Sequence, residues 1–243
     1  MIHTWINGRW ALELPEHRHL RPEWPWWEAH RLAALNYVIS THPAAAPCVW
    51  DIGAEEGDFP ALYSSWGADV VLFEPNARVW PNIRAIWEIN DLRPPLGSFV
   101  GFATDRADNG NDGAHSGGWP SCAYGEVIGD HGFCNVWERP DIPKTTIDQK
   151  VADGWRPPVV ITMDVEGAEH LVLAGATNTL RNHRPEVFVS IHPEFARDMY
   201  GIPNQAEAIG AFMTAEGYIP RFLCTDHEEH WWFSPNESAY ARR

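Results

Sequence analysis

Apolar runs of strand length recur along the chain, and stretches of helical period separate them. Cys48 to Ile52 and residues 69–74, 97–103, 158–164 and 186–191 are short apolar runs bounded by Gly, Pro, Asn or Asp. Residues 58–66, 76–90, 167–181 and 204–216 are predicted helices. The clearest stripe lies in 76–90, where Val79, Ile83, Ile86, Trp87 and Asn90 fall three and four apart. The run that ends at Asp164 carries no charge before that residue, as expected of a central strand buried on both faces of a parallel sheet. Strands alternating with helices predict an α/β, doubly wound sheet. Tyr218 to Leu223 and His230 to Phe233 are joined by a short acidic link, so they predict an antiparallel hairpin at one edge.

The ends and one long interruption break this rhythm. Residues 1–23 are polar, with scattered His, Arg and Pro, and read as an arm or a short hairpin. Pro25 to Ser40 predicts an amphipathic helix with Trp27, Leu32, Leu35, Tyr37 and Ile39 as its apolar positions. Residues 1–47 are therefore expected to pack as an arm and helix on one domain spanning 48–243. Residues 104–140 are rich in Gly, Asp and Asn and too long for an ordinary connection, which predicts a lid or functional loop.

Composition narrows the function classes. With 243 residues, 44% of them hydrophobic, the chain can bury one full core. A net charge of −15 disfavours nucleic acid as a partner, because a phosphate backbone would be repelled. Cys48, Cys122, Cys134 and Cys224 lack zinc-like spacing, and neither a signal peptide nor a bilayer-length apolar run is visible. Those features predict a cytoplasmic protein with no membrane partner. The 14 Trp are mainly core material, although some can stack on a sugar ring or adenine.

Two acidic clusters carry the candidate chemistry. Asp51-Ile52-Gly53-Ala54-Glu55-Glu56-Gly57-Asp58 ends the first strand in a glycine turn and starts a helix, the layout that wraps backbone around a nucleotide. Glu55, Glu56 and Asp58 would repel a pyrophosphate and favour a cationic ligand, so S-adenosylmethionine fits this turn better than NAD. Glu74 closes the second strand about 20 positions on, placed to accept hydrogen bonds from ribose hydroxyls. The second cluster, Asp164-Val165-Glu166-Gly167-Ala168-Glu169, ends the fourth strand, and His192 ends the fifth. Ligands bind at such strand ends in open α/β sheets. Imidazole is suited to taking a hydroxyl proton near neutral pH, which makes His192 a candidate base. Asp164 and Glu166 can alternatively cap the following helix. Asp164, Glu166 and His192 together can also hold Mg²⁺ or Mn²⁺, although a divalent metal is not expected.

Together these motifs resemble the FkbM-type methyltransferase family. The resemblance rests on Asp51 to Gly57, Phe73-Glu74-Pro75, Ala103-Thr104-Asp105, Thr146-Ile147-Asp148 and Asp164 to Glu169, and extends over about residues 48–195. The family's usual Glu-x-His is here Ser190-Ile191-His192, so that glutamate is absent. The resemblance implies a Rossmann-like class I methyltransferase fold, with a seven-stranded mostly parallel sheet, an antiparallel edge hairpin and helices on both faces. It implies S-adenosylmethionine as cofactor, held by Asp51, Gly53, Ala54, Glu55, Gly57, Glu74, Pro75 and Asp105. It also implies O-methylation of a sugar, glycan or secondary-metabolite hydroxyl, with His192 or Asp164 as base and Glu166 orienting. The alternatives are an NAD(P)-dependent oxidoreductase, which would want a G-x-G-x-x-G turn, and a non-catalytic carbohydrate-binding protein, which would leave both acidic clusters without a role. Neither the acceptor's identity nor the oligomeric state is written in these motifs.

Overall fold

The computed structural model describes residues 1–108, 114–128 and 141–235. The chain opens with an antiparallel hairpin, β1 (Ile2–Ile6) and β2 (Trp10–Leu14), then helices α1 (Glu16–His19) and α2 (Ala29–Thr41). There follow β3 (Cys48–Ile52), α3 (Asp58–Ser65), β4 (Asp69–Phe73), α4 (Trp80–Ile89), β5 (Gly97–Phe99), β6 (Phe102–Ala103) and β7 (Ala114–Ser116). After a 3₁₀ turn at Ser121–Tyr124 come β8 (Lys144–Thr145), α5 (Ile147–Ala152), β9 (Val160–Met163), α6 (Glu169–Ala174) and α7 (Thr177–His183). The rest is β10 (Glu186–Ile191), α8 (Pro193–Tyr200), α9 (Gln205–Ala215), β11 (Tyr218–Thr225) and β12 (Glu229–Pro235).

The main sheet runs β11-β12-β10-β9-β3-β4-β5-β7. All seven expected strands are present, five of them parallel, with the β11–β12 hairpin antiparallel at one edge. An eighth, β7, lies antiparallel on β5 at the other edge, inside the stretch expected as a lid. Residues 109–113 and 129–140 of that stretch lie outside the described residues.

Alternation along the strands builds two cores. Val49, Leu72, Val160 and Phe188 face one side, where α2, α3, α4 and the N-terminal hairpin supply Leu35, Leu62, Ile83, Trp87 and Leu14. Trp50, Phe73, Met163 and Val189 face the other, covered by Ile147, Val172, Leu180, Ile209 and Met213 of α5, α6, α7 and α9. Asp51 and Thr162 interrupt the first face, and both are buried. Burying a polar group on an apolar face is unfavourable without a partner, so these two residues mark where function departs from packing.

Three boundaries differ from the sequence reading, two of them because backbone passes close by. The expected helix 167–181 is broken at Gly175, where a Cβ would lie 2.0 Å from the carbonyl oxygen of Thr104. The expected strand 97–103 is split at Gly101, against which the Pro143 carbonyl packs at 2.3 Å from a would-be Cβ. The expected helix from Pro25 starts only at Ala29, after turns and a left-handed Glu28 with φ 50°. Helix α8 was not anticipated; Pro193 at its first turn starts it directly after His192. β3 pairs with β4 on one side and β9 on the other. Strand order therefore reverses at the C-terminal end of β3, where an open α/β sheet leaves a crevice.

Candidate active site

Gly53 takes the chain out of β3. Its φ is +91°, and a Cβ there would lie 2.0 Å from the Asp164 carbonyl oxygen, so only glycine fits beside the end of β9. The amides of Gly53 and Ala54 donate to the Phe73 carbonyl at 2.9 and 3.1 Å, tying the turn to the end of β4. Gly57, with φ +86°, caps α3 close against Ile83. The predicted strand–turn–helix is formed.

Its carboxylates do not confront a ligand in the way the sequence suggested. Arg18 of α1, 2% exposed, pairs with Glu55 at 3.0 Å, lies 3.7 Å from Glu56, and contacts Asp58 directly. His17 holds Glu56 at 2.6 Å and Arg21 reaches Glu55 at 3.2 Å. The reason is burial: Glu56 and Asp58 are sealed beneath the arm, and carboxylates that deep require cationic partners. The partner lies 37 residues before Glu55, beyond the reach of any local motif.

The acidic groups that face the crevice stand instead at the strand ends, where burial favours their protonated forms. Burial pushes the Asp51 carboxyl up to about 8, against the opposing pull of Arg31. Arg31, buried on α2, contacts the Glu28 carboxylate and the Thr162 hydroxyl, and the Glu28 amide donates to Asp226 at 2.9 Å. Sequence reasoning missed Glu28 and Arg31. The available signal was their spacing: Arg31 stands on the face of α2 that carries Leu32 and Leu35, and Glu28, three residues before it, immediately precedes the first turn.

Glu74, just past β4, has both oxygens on backbone amides, Glu55 at 3.0 Å and Asn76 at 2.7 Å. Burial pushes its carboxyl up to about 8 despite those bonds. Each carboxylate oxygen keeps a second lone pair for a further donor.

At the ends of β9 and β10, the sequence-predicted Asp164, Glu166 and His192 converge. His192 Nε2 lies 3.3 Å from Asp164, 3.6 Å from Glu166 and 2.8 Å from Glu228 of the β11–β12 link, while Nδ1 lies 3.0 Å from Glu169. Burial alone would lower this imidazole's pKa; Asp164, Glu169 and Glu228 outweigh it and push it up to about 12. An imidazolium has no lone pair to accept a proton, so this geometry argues against His192 as the base. The fully buried Glu169 accepts the Val165 and Gly167 amides at 3.2 Å and also bonds Gln205. Burial and Glu228 raise the Asp164 carboxyl well above its usual range.

One cavity of about 990 Å³ joins these groups. Its walls include Gly53, Glu74 and Pro75 at one side and Asp164, Glu166 and Glu228 at another, with Trp27 and Phe59 between. Asp105 also lines it, with its carboxylate on the Thr104 hydroxyl at 3.1 Å and Arg106 at 3.4 Å. Eleven Asp or Glu and four Lys or Arg side chains line the cavity among the described residues. Without Glu55, Glu56 and Asp58, which Arg18, His17 and Arg21 pair, acidic groups still outnumber basic ones eight to four, so an anionic ligand is disfavoured.

The order β11-β12-β10-β9-β3-β4-β5 of the seven expected strands, with acidic residues at the ends of β3, β4 and β9, is a class I methyltransferase arrangement. Residues 51–220 match the model of the methyltransferase FkbM domain, and the chain belongs to that family. The domain is that of an S-adenosylmethionine-dependent methyltransferase. No curated protein matches the chain. Among solved structures, an FkbM methyltransferase from Methylobacillus flagellatus KT is 15% identical over 78% of this chain, with a TM-score of 0.48; the match spans 44% of that protein. Monomeric WbdD is 13% identical over 86% of this chain and 44% of its own, with a TM-score of 0.50. An rRNA methylase from Streptococcus thermophilus is 9% identical over 88% of this chain and 96% of its own, at 0.49. Identities this low speak to fold alone. They do not test the exclusion of nucleic acid expected from net charge. No helix among the described residues is long and apolar enough to cross a membrane.

Proposed function

We propose that the protein methylates a hydroxyl of a small, uncharged or cationic acceptor, of the sugar, glycan or secondary-metabolite class, with S-adenosylmethionine as donor. The observation that carries this reading is the single cavity running from the Gly53–Glu74 cradle to the Asp164–Glu166 wall. Its volume lies at the upper end of the range for small-molecule sites, room for a nucleoside and a second ligand.

In this reading the residues of the first two strand ends bind the donor. Gly53 lets backbone approach it, Ala54, Gly57 and Pro75 shape the turn, and Glu74 accepts the ribose hydroxyls. Asp51 and Glu55 flank it, and Asp105 stands toward the adenine end. Bound S-adenosylmethionine supplies an electrophilic methyl on a sulfonium. The chain's part is to hold the acceptor oxygen in line with it, which in well-oriented systems is worth roughly 7–11 kcal/mol. Glu166 orients the hydroxyl, and its proton passes to a rim carboxylate, Asp164 or Glu228. The acidic lining favours a neutral acceptor over a nucleotide sugar, and the Trp27–Phe59 wall offers an apolar face for a ring. Incubation with labelled donor and candidate acceptors, followed by mass spectrometry, tests the assignment. A product heavier by one methylene on a hydroxyl supports it, and transfer to RNA alone overturns it.

Glu74 gives a pH signature. Its carboxyl, raised to about 8 by burial, must ionise to accept ribose hydroxyls, so donor affinity grows as pH rises toward that value. S-adenosylhomocysteine should bind about tenfold more tightly at pH 9 than at pH 7, one unit of pKa being a factor of ten. Glu74→Gln should weaken binding and remove most of that slope, while circular dichroism stays unchanged. An unaltered slope would remove Glu74 from the ribose site.

A further inference from the structure

We infer that Asp164, Glu166 and His192 form a divalent-cation site, for Mn²⁺ or Mg²⁺, on the acceptor wall of the cavity. One oxygen from each carboxylate and a ring nitrogen of His192 lie within 4.8 Å of one another. The separations from His192 Nε2, 3.3 Å to Asp164 and 3.6 Å to Glu166, resemble the edges of a coordination polyhedron. Ligands at about 2.1 Å from an octahedral ion stand about 3.0 Å apart.

The imidazole supplies the second, independent observation. His192 is 5% exposed, and its Nε2 has no hydrogen-bond partner; Glu228 is 2.8 Å away but off the line of an N–H bond. Nε2 is thus aimed into a ring of carboxylates without being satisfied by any of them.

The other face of the ring is built as metal-binding histidines are built. Nδ1 meets the buried Glu169 at 3.0 Å, and the His192 amide donates to Gln205 Oε1 at 3.0 Å. Gln205 in turn bonds the Gly167 carbonyl at 2.9 Å and Glu169. A carboxylate behind Nδ1 fixes the tautomer that leaves Nε2 as the ligand. Two carboxylates with one imidazole suit Mn²⁺ or Mg²⁺ better than a soft metal. Asp164 and Glu166 are 31% and 36% exposed at their side chains and line the cavity, so the ion's open positions face the acceptor. This rests on the proposed acceptor side of the cavity. An ion held by Asp164, Glu166 and His192 in place of the imidazolium proton would supply Lewis acidity to the acceptor hydroxyl, with Glu228 beside the site to take the hydroxyl proton.

Titration of the chelator-treated full chain with MnCl₂, followed by electron paramagnetic resonance, tests this without reference to activity. One equivalent of bound Mn²⁺ is expected, with ¹⁴N coupling from the directly bound imidazole in pulsed spectra. Glu169→Gln should weaken binding about 10–100-fold, as loss of an outer carboxylate does. His192→Gln should abolish the ¹⁴N coupling. Absence of stoichiometric binding, or bound Mn²⁺ without ¹⁴N coupling in the wild type, overturns the site. The wild-type spectrum decides the matter even where a variant does not fold. Binding of S-adenosylhomocysteine, measured on the same samples, reports separately on the methyltransferase reading and is expected to be unchanged by chelation.

Discussion

Asp164→Asn is expected to lower kcat about 10²–10⁴-fold, the range for losing a positioned proton acceptor, while S-adenosylhomocysteine affinity changes by less than threefold. The asymmetry follows from position. Asp164 contributes its carbonyl to the closeness at Gly53, and that contact survives the substitution because it involves only backbone. Its carboxylate points the other way, into the ring around His192, where burial and Glu228 raise its proton affinity. Replacing one oxygen by an amide removes a charge from the acceptor side and nothing from the donor side. Initial-rate kinetics and calorimetry on one preparation check this. Equal losses in kcat and donor affinity would mean that the two sides of the cavity are not separable.

Gly53→Ala should have the opposite signature, loss of donor binding together with loss of fold stability. A methyl at 2.0 Å from the Asp164 carbonyl oxygen has to push the ends of β3 and β9 apart, and alanine also resists a φ of +91°. Overpacking typically costs 1–3 kcal/mol and left-handed backbone 1–2 more, so a destabilisation of about 2–5 kcal/mol is expected by urea unfolding. The surviving folded fraction should bind S-adenosylhomocysteine at least tenfold more weakly, because the Gly53 and Ala54 amides that pin the turn to Phe73 are displaced. Wild-type stability with wild-type binding would show that the closeness is not a constraint.

What the sequence disclosed, and what it withheld, divides along physical range. The strands from Cys48 to Ile191 carry their order in local apolar runs, and the turn at Gly53, the carboxylate at Glu74 and the rim at Asp164 sit within a few residues of a strand end. Local pattern suffices for such features. Breaks at Gly101 and Gly175 escaped because each glycine answers to a carbonyl more than 40 positions away in one case and about 70 in the other, Pro143 and Thr104. The same is true of charge. Three acidic residues in a glycine turn look like an invitation to a cation until Arg18 and His17 arrive from the N-terminal arm and occupy them. The preference for a positively charged donor therefore cannot be argued from Glu55, Glu56 and Asp58. It rests on acidic groups that line the cavity beyond the arm's reach, Asp51, Glu74, Asp164, Glu166 and Glu228. Burial raises the pKa of the first four, and a cation brought beside them favours their ionised forms.

His192 illustrates the same limit. A histidine at a strand end suggested a base, and the structure does bring it to Asp164 and Glu166. Glu169 and Glu228 complete the ring from α6 and from the β11–β12 link, and four carboxylates around one imidazole hold its proton in place. The residue that looked like the proton acceptor is better read as the cationic centre of the rim, or as the ligand of an ion that takes that proton's place.

Calorimetric titration with S-adenosylhomocysteine at pH 8 tests the central claim most directly. The cradle formed by Gly53 and Glu74 predicts saturable heat at one site per chain, with no heat from NAD at the same concentrations. Heat from NAD, or none from S-adenosylhomocysteine at high micromolar concentration, would contradict it.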